Sequence, residues 1–93
     1  MDFEWDWGKN ERNRGKHGVS FEEARTVFHD PLARVFGDDL HSVGERREFI
    51  VGHSILHRLL LVCFVERSNR IRIISARRTN PAERKDYEEN ARA

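Results

Sequence analysis

The chain has 93 residues, of which 38% are hydrophobic and 35% charged, and its formal net charge is +1 at pH 7. This length predicts one domain, residues 1–93, with a small core, and the near-neutral charge argues against a protein that binds polyanions through bulk charge alone. The single cysteine, Cys63, excludes an internal disulfide and favours a reducing, cytoplasmic compartment. No signal peptide is visible, and the longest apolar run, residues 59–65, is too short to cross a bilayer.

Arginine dominates the basic residues, accounting for 14 of the 17 lysines and arginines. Lysine would serve solubility equally well, whereas arginine presents a planar fork of donors that fits an anion through two parallel hydrogen bonds. The excess of arginine therefore favours bidentate contacts with phosphate, carboxylate or RNA.

The N-terminal segment alternates acidic and aromatic residues over positions 2–7, which predicts a short strand. Its core face is predicted to carry Phe3, Trp5 and Trp7, and the alternative for either tryptophan is stacking on a base. A first helix follows over residues 9–17, but it has almost no apolar stripe. Its basic side chains could therefore face either phosphate or solvent.

Caps mark both N-terminal helices. Asp6 is a suitable N-cap for the first helix, and Gly18 is a suitable stop. Ser20 followed by Glu23 forms a capping box for a second helix, whose apolar residues share one face. This helix is predicted to pack on the core and to end at Asp30, because the residue before a proline avoids the helical region.

The second half of the chain predicts a sheet. Short links join its last three strands, so these strands are predicted to form an antiparallel meander. The most apolar segment, residues 59–66, is predicted to be central. Asp38 and Asp39 are interpreted as a solvated turn, since no third ligand for a cation lies near them in sequence. The predicted strands are residues 33–36, 47–52, 59–66 and 70–78.

The last of these segments carries the densest cluster of arginines. Strict alternation predicts two faces, with Ile71, Ile73, Ser75 and Arg77 on one side and Arg72, Ile74, Ala76 and Arg78 on the other. Neither face is wholly apolar. One end is therefore predicted to pack while the other holds guanidinium groups near solvent.

A final helix is predicted from Pro81 to about residue 90, with Asn80 as its N-cap and Glu83 completing a capping box. Its apolar residues are few. Loose docking of a mobile helix, or docking that a partner completes, is therefore expected.

Acids, bases and guanidinium groups beside the sheet and the last helix are the remaining candidates for chemistry. RNA cleavage without a metal needs a base for the ribose 2′-hydroxyl, cations for the phosphorane, and an acid for the leaving 5′-oxygen. Arginine suits the phosphate but is a poor acid. The candidate acids are His17, Tyr87 and Lys16, and the other candidates are Glu45, Arg47, Glu66, Arg72, Arg77, Arg78 and Glu83.

Ordinary ion pairing is the alternative that the residues leave open, with Glu45 bound to Arg47, and Glu83 bound to Arg77 or Arg78. Metal binding is not expected. His53 and His57 have a helical metal-ligand spacing, but they lie on either side of a predicted hairpin turn.

The chain resembles the BrnT family through motifs that cover nearly its whole length. The front motif comprises residues 16–24 (KHGVSFEEA), Val27-Phe28 and Asp30-Pro31. The middle motif is Glu45-x-Arg47 followed by Gly52. The end motif comprises Glu66-Arg67, residues 71–78, and Glu83-Arg84 with Tyr87.

This resemblance implies a toxin of a type II toxin–antitoxin system that cleaves RNA and arrests translation. It implies an α+β, RelE-like fold, in which an antiparallel sheet of about four strands is packed by two N-terminal helices and followed by a C-terminal helix. It also implies neutralisation by a BrnA-like antitoxin, through which alone the complex contacts operator DNA.

Six residues occupy motif positions of the family, namely Glu45, Arg47, Glu66, Arg72, Arg77 and Tyr87. We expect the arginines of this set to bind phosphate, Glu45 or Glu66 to act as the base, and His17 or Tyr87 to act as the acid. Further RNA contacts are expected from Lys16, Arg70 and Arg78. No cofactor is expected, and the expected products are a 2′,3′-cyclic phosphate and a 5′-hydroxyl. The alternative is a non-catalytic nucleic-acid-binding or co-repressor module.

Overall fold

A computed structural model describes residues 1–91 of the chain. One five-stranded sheet has helices on both faces, which confirms the predicted α+β class. The elements are β1 Asp2–Glu4, α1 Trp7–His17, α2 Phe21–Thr26, β2 Arg34–Gly37, β3 Arg47–His53, β4 Leu59–Arg67, β5 Arg70–Arg78 and α3 Pro81–Ala91, with 3₁₀ turns at Val27–His29 and Asp39–His41. The strands lie in the order β1-β5-β4-β3-β2.

The first strand corrects the predicted sheet. The sheet has five strands rather than about four, and β1 pairs with β5 in parallel, with Phe3 opposite Ile71. A parallel pair needs a long crossover connection, and the whole chain between β1 and β5 provides it. The sequence therefore contains no local turn that predicts this pairing. The predicted strand over residues 2–7 ends at Glu4, because Asp6 caps α1 by accepting a hydrogen bond from the Lys9 amide at 2.9 Å.

The two tryptophans differ in burial. Trp5 packs against the core, as predicted. Trp7 is 65% exposed as the first residue of α1, so the prediction that it lies in the core is wrong.

The predicted meander is confirmed, since β3, β4 and β5 pair antiparallel in chain order and β4 is buried along most of its length. A β-bulge interrupts the β4–β5 pairing, because Phe64 lies opposite Ile73 while Cys63 lies opposite Ser75. Ile74 is the extra residue, and an extra residue reverses the alternation beyond it. The predicted faces of β5 are therefore right before Ile74 and wrong after it.

The face covered by α1 and α2 carries the main core. Ala76 lies on this face with Ile71 and Ile73, and α2 contributes Phe21 and Ala24. The other members of the cluster are Val19, Val27, Ile50, Leu60, Val62 and Phe64.

Helix α1 is attached to the sheet by buried amides rather than by an apolar stripe. Asn13 Nδ2 donates to the carbonyl oxygens of Val19 and Ala76, both at 2.8 Å, and its Oδ1 accepts from the Ala76 amide at 3.2 Å. Asn10 Oδ1 accepts from the Phe21 amide at 2.8 Å. Because β1 pairs only with residues 70–72, the outer edge of β5 at Ala76 has no strand partner there, and Asn13 satisfies its backbone groups.

Helix α3 covers one end of the opposite face. Tyr87, 4% exposed, packs with Val51, Leu59 and Leu61. Its hydroxyl donates to Asp30 Oδ2 at 2.9 Å, and burial together with the Asp30 carboxylate raises the pKa of Tyr87 to about 12. Tyr87 is the only buried side chain among residues 81–90 of this helix, which agrees with the expected loose docking, and its hydroxyl adds a polar contact with Asp30. Mobility of the helix stays a prediction.

Glu23 joins the second helix to the β3–β4 hairpin. Its side chain is 6% exposed and accepts hydrogen bonds from Ser54 Oγ at 2.7 Å and Arg58 Nε at 2.9 Å, while Arg58 Nη2 also donates to the Gly18 carbonyl at 3.0 Å. Burial opposes ionisation, but the bonds from Arg58 and Ser54 outweigh it and lower the pKa of Glu23. Helix α2 thus carries a structural ion pair that its sequence pattern did not indicate.

We predict that Glu23→Ala lowers the free energy of unfolding by about 2–3 kcal/mol, because it leaves a half-buried guanidinium without its carboxylate. The exposed Glu88→Ala is the matched control and should change stability by less than about 0.5 kcal/mol. Since the folded pKa of Glu23 lies below its ordinary value of 4.5, its stabilisation is present above that pH and is lost as pH falls through the folded pKa. Urea unfolding of both variants at neutral and acidic pH measures this, and equal midpoints for the two variants at neutral pH would contradict it.

We predict a smaller effect for Tyr87→Phe, a loss of about 1 kcal/mol, because the ring still packs and only the hydrogen bond to Asp30 is removed. Asp30 Oδ2 retains the bond from the His53 amide at 2.7 Å. Thermal unfolding measures the change, and an unaltered melting temperature would show that the hydroxyl does not hold α3.

Candidate functional site

The end of the sheet face that α3 leaves open carries a cluster of charged side chains. Arg47 and Arg72 lie in one row across the sheet, on either side of Val65 in the central strand. They line a cleft of about 400 Å³, which we call the cationic cleft. Its other lining residues are Lys9, Leu40, His41, Val43, Glu45, Arg67 and Ile74.

Positive charge predominates in the cationic cleft, where four lysine and arginine side chains face the single carboxylate of Glu45. Arg67 binds this carboxylate through two hydrogen bonds, from Nε and Nη2, each 2.5 Å long. Arg72 lies 3.5 Å from Glu4. Within residues 1–91, Arg47 forms no ion pair, so its charge is available to an anionic ligand.

The charge state of Glu45 follows from these neighbours. The hydrogen bonds from Arg67 are the largest cause of a pKa below the ordinary value, and the charges of Arg67, Arg47 and Arg72 act in the same direction. Glu45 is therefore ionised at neutral pH. The sequence had offered Arg47 as its partner, but the structure pairs it with Arg67, which lies at the end of β4.

Asp38 fixes the loop between β2 and β3, which forms one wall of the cleft. Its side chain is 8% exposed, and its amide donates to the Arg47 carbonyl at 2.9 Å. Ser42 Oγ donates to the Asp38 carbonyl at 2.6 Å and accepts from the Arg47 amide at 2.9 Å. The interpretation of a solvated turn is therefore wrong for Asp38, because local hydrogen bonds draw it into the loop.

Three of the candidate residues from the sequence, Glu45, Arg47 and Arg72, come together in the cationic cleft. Arg70, which is exposed, lies opposite Arg67 in the β4–β5 pairing and extends the positive surface beyond the cleft.

Glu66 lies on the other side of the sheet. Its neighbours in β4, Val65 and Arg67, line the cationic cleft, whereas Glu66 lines a separate groove of about 690 Å³ on the face of α2. Phe3, Phe28, Val35, Ile50, Phe64 and Ile71 form the apolar part of that groove. The structure therefore does not bring Glu66 together with Arg47 and Arg72.

Arg77 and Tyr87 lie at the end of the sheet that α3 covers. Arg77 donates to Glu83 from Nη1 at 2.9 Å and from Nη2 at 2.8 Å, and these bonds raise its pKa. Glu83 also completes the predicted capping box with Asn80, through two hydrogen bonds of 2.8 Å. The ion-pair interpretation is therefore confirmed for Glu83 and Arg77.

Lys16 and His17 end α1, whose other end brings Lys9 to the cationic cleft. His17 lies eight positions along the helix from Lys9, or roughly 12 Å. Arg78 is exposed at the end of β5 and acts on the charge of Glu23, again away from the cleft. These basic residues do not join Arg47 and Arg72.

Two residues of the cationic cleft, His41 and Arg67, are not among the candidates that the sequence indicates. His41 lies in a loop whose sequence pattern gives no signal, and Arg67 lies just beyond the predicted strand 59–66. Pairing of β3 with β4 places Arg67 beside Glu45, which only long-range register could reveal.

Among residues 1–91, no group of three or more histidine, cysteine, aspartate or glutamate side chains is arranged to hold a metal ion. None of the helices in this range has the length and apolar character needed to cross a membrane.

Comparison with known proteins finds a matching family and a similar solved structure. Residues 5–83 match the model of the family described as "Ribonuclease toxin, BrnT, of type II toxin-antitoxin system". The 1.1 Å crystal structure of the Brucella abortus ribonuclease toxin BrnT is similar to the chain with a TM-score of 0.67 and 24% sequence identity, and the match covers 86% of this chain and 97% of that one. Curated protein sequences gave no significant match.

The structural likeness confirms the fold, and the family match spans both the cationic cleft and the helices that position it. The chain therefore belongs to the BrnT family of ribonuclease toxins of type II toxin–antitoxin systems.

Proposed function

We propose that this chain is an endoribonuclease that cleaves RNA at the cationic cleft without a metal ion, leaving a 2′,3′-cyclic phosphate and a 5′-hydroxyl. The observation that carries the proposal is the pair Arg47 and Arg72, partly exposed on either side of the buried Val65 and lining a cleft with a carboxylate, in a member of a ribonuclease toxin family.

These two arginines are suited to one phosphate. They lie two strands apart, or roughly 10 Å at the backbone, and their long side chains can converge above Val65. A guanidinium donates in a fixed plane and stabilises charge that develops on a phosphorane. We assign phosphate binding and transition-state stabilisation to Arg47 and Arg72, with Lys9 and Arg70 holding neighbouring nucleotides.

Glu45 is the base in this proposal. It is ionised, lines the same cleft and can accept the 2′-hydroxyl proton. An RNA phosphate that competes for Arg67 would loosen the Arg67–Glu45 pair and make the carboxylate more basic.

The remaining candidates from the sequence receive other roles. Arg77 is engaged with Glu83, and the Tyr87 hydroxyl is buried against Asp30, so we assign both to anchoring α3. Glu66 lies on the opposite face of the sheet, and we place it outside the reaction. His17, Lys16 and Arg78 are far enough along the surface to contact only a longer RNA.

A toxin of a toxin–antitoxin system implies an antitoxin partner. We propose a BrnA-like antitoxin that neutralises the chain and supplies its only contact with operator DNA. We also propose that the chain acts in the cytoplasm, where its RNA substrate is found.

We predict that Arg72→Ala lowers kcat/KM for RNA cleavage about 100-fold, because it removes one donor to the developing phosphorane charge. Arg72→Lys should recover only part of the rate, since it keeps the charge without the bidentate fork. The exposed Arg84→Ala in α3 is the control and should cleave normally. The assay uses the purified chain and a short end-labelled RNA in excess chelator, with end-group analysis of the fragments. Intact RNA with folded wild-type chain would favour the non-catalytic binding module instead.

We predict that Glu45 titrates below its ordinary value of 4.5 in the wild type, and that Arg67→Ala raises its pKa towards that value, because the main stabilising hydrogen bonds are lost. Carbon-detected NMR of the side-chain carboxyl during acid titration measures this directly. Arg84→Ala serves again as the control. An unchanged Glu45 titration in the Arg67 variant would show that the pair does not set its charge.

A further inference from the structure

His41 lines the cationic cleft with Arg47 and Arg72, although nothing in the sequence indicated a role for it. It ends the 3₁₀ turn Asp39–His41, and its side chain is 65% exposed. Folding therefore does not depend on burial of the ring, and the imidazole is open to a ligand in the cleft.

Asp38 orients this imidazole. His41 Nδ1 lies 3.1 Å from Asp38 Oδ1 and 3.0 Å from Oδ2. An ionised carboxylate can only accept hydrogen bonds, so Nδ1 carries the hydrogen and donates it. The second ring nitrogen, Nε2, forms no hydrogen bond with any residue of the described range 1–91, and it remains for a ligand.

Asp38 is itself immobilised. Its backbone amide and carbonyl are bound to Arg47 and Ser42, and the carbonyl also accepts from the His41 amide at 3.3 Å. The same hydrogen bonds attach the loop to the start of β3, where Arg47 begins. The imidazole and a phosphate-binding arginine are therefore held by one framework, which is the arrangement that an aspartate–histidine pair uses to orient a proton-transfer group.

No general acid has yet been assigned in the proposed reaction, and the positions of the candidate residues exclude most of them. The Tyr87 hydroxyl is buried and bound to Asp30, His17 lies at the far end of α1, and arginines do not release protons readily. His41 is the only histidine among the residues that line the cleft in the described part of the chain.

We propose that His41 is the general acid of RNA cleavage and that Asp38 is its positioning residue. This inference rests on the proposed nuclease function and completes it. The 2′-oxygen attacks the adjacent phosphorus as its proton passes to the Glu45 carboxylate, and the bond from phosphorus to the 5′-oxygen breaks. The leaving 5′-oxygen takes the Nε2 proton of the His41 imidazolium, whose positive charge Asp38 stabilises until the proton leaves. Exchange with water then restores both side chains.

The test compares two substrates that differ in one atom. One is a short RNA with the natural 5′-oxygen leaving group, and the other has sulfur at that bridging position. A thiolate leaves without being protonated, so the sulfur substrate does not need the acid. We expect His41→Gln to lower kcat about 100-fold or more on the oxygen substrate. On the sulfur substrate its rate should be close to that of the wild type.

Two further variants sharpen the test. His29→Gln changes an exposed histidine on the other side of the sheet and should behave as the wild type on both substrates. Asp38→Asn should lower kcat on the oxygen substrate less than His41→Gln does. On the sulfur substrate, kcat of Asp38→Asn should again be close to that of the wild type. A merely structural effect of Asp38 would slow both substrates alike. Thermal unfolding confirms that each variant is folded.

Three results would overturn the proposal. If His41→Gln cleaves the oxygen substrate at the wild-type rate, His41 takes no part in the reaction. If it is equally slow on both substrates, His41 does not act as the acid. If the folded wild type cleaves neither substrate, the nuclease function itself fails. In the first two cases the wild type still cleaves RNA, so the failure concerns His41 alone. In the third case the wild type is inactive, so the nuclease function fails.

Discussion

The β-bulge at Ile74 is the constraint on which the two faces of the sheet depend. By adding one residue to β5, it places the small Ala76 under α1, where Asn13 reaches both of its backbone groups. The same extra residue places the side chain of Arg77 on the opposite face, where it binds Glu83 and helps to anchor α3. With strict alternation, Arg77 would lie beneath α1 among apolar side chains. The bulge thus separates a packed helix face from a face on which guanidinium groups remain accessible.

Incomplete coverage of that second face produces the candidate site. Helix α3 has a single large apolar contact, Tyr87, and its polar tethers hold it at one end of the sheet. The other end of this face carries charged side chains beside the buried strand β4. Their backbone is held rigidly in the sheet, while their charged groups reach solvent. Two of the arginines have carboxylate partners, whereas Arg47 has none within residues 1–91. The surplus of positive charge is therefore local, although the chain as a whole is close to neutral.

Sequence reasoning succeeded where the cause of a structure is local. The caps at Asp6 and Ser20, the stop at Gly18 and the capping box at Asn80 all depend on residues within one turn, and the structure contains each of them. Prediction from the sequence failed where a feature depends on contacts between segments that are distant in the chain. Neither the parallel pairing of β1 nor the buried role of Asn13 has a periodic signal, since both depend on which edge of β5 remains unpaired. The same holds for the site, because Glu45, Arg47 and Arg72 were found by their residue type and family motif, while His41 needed the folded loop.

Binding of RNA at the cationic cleft can be tested by NMR mapping with an uncleavable ligand. A 2′-O-methyl RNA lacks the attacking hydroxyl but keeps the phosphates, so it can be titrated into the intact wild-type chain. We expect the side-chain resonances of Arg47, Arg72 and His41 to shift together, with a single binding curve. Shifts confined to the groove that contains Glu66, or to the end of α1 near His17, with the cleft unchanged, would contradict it.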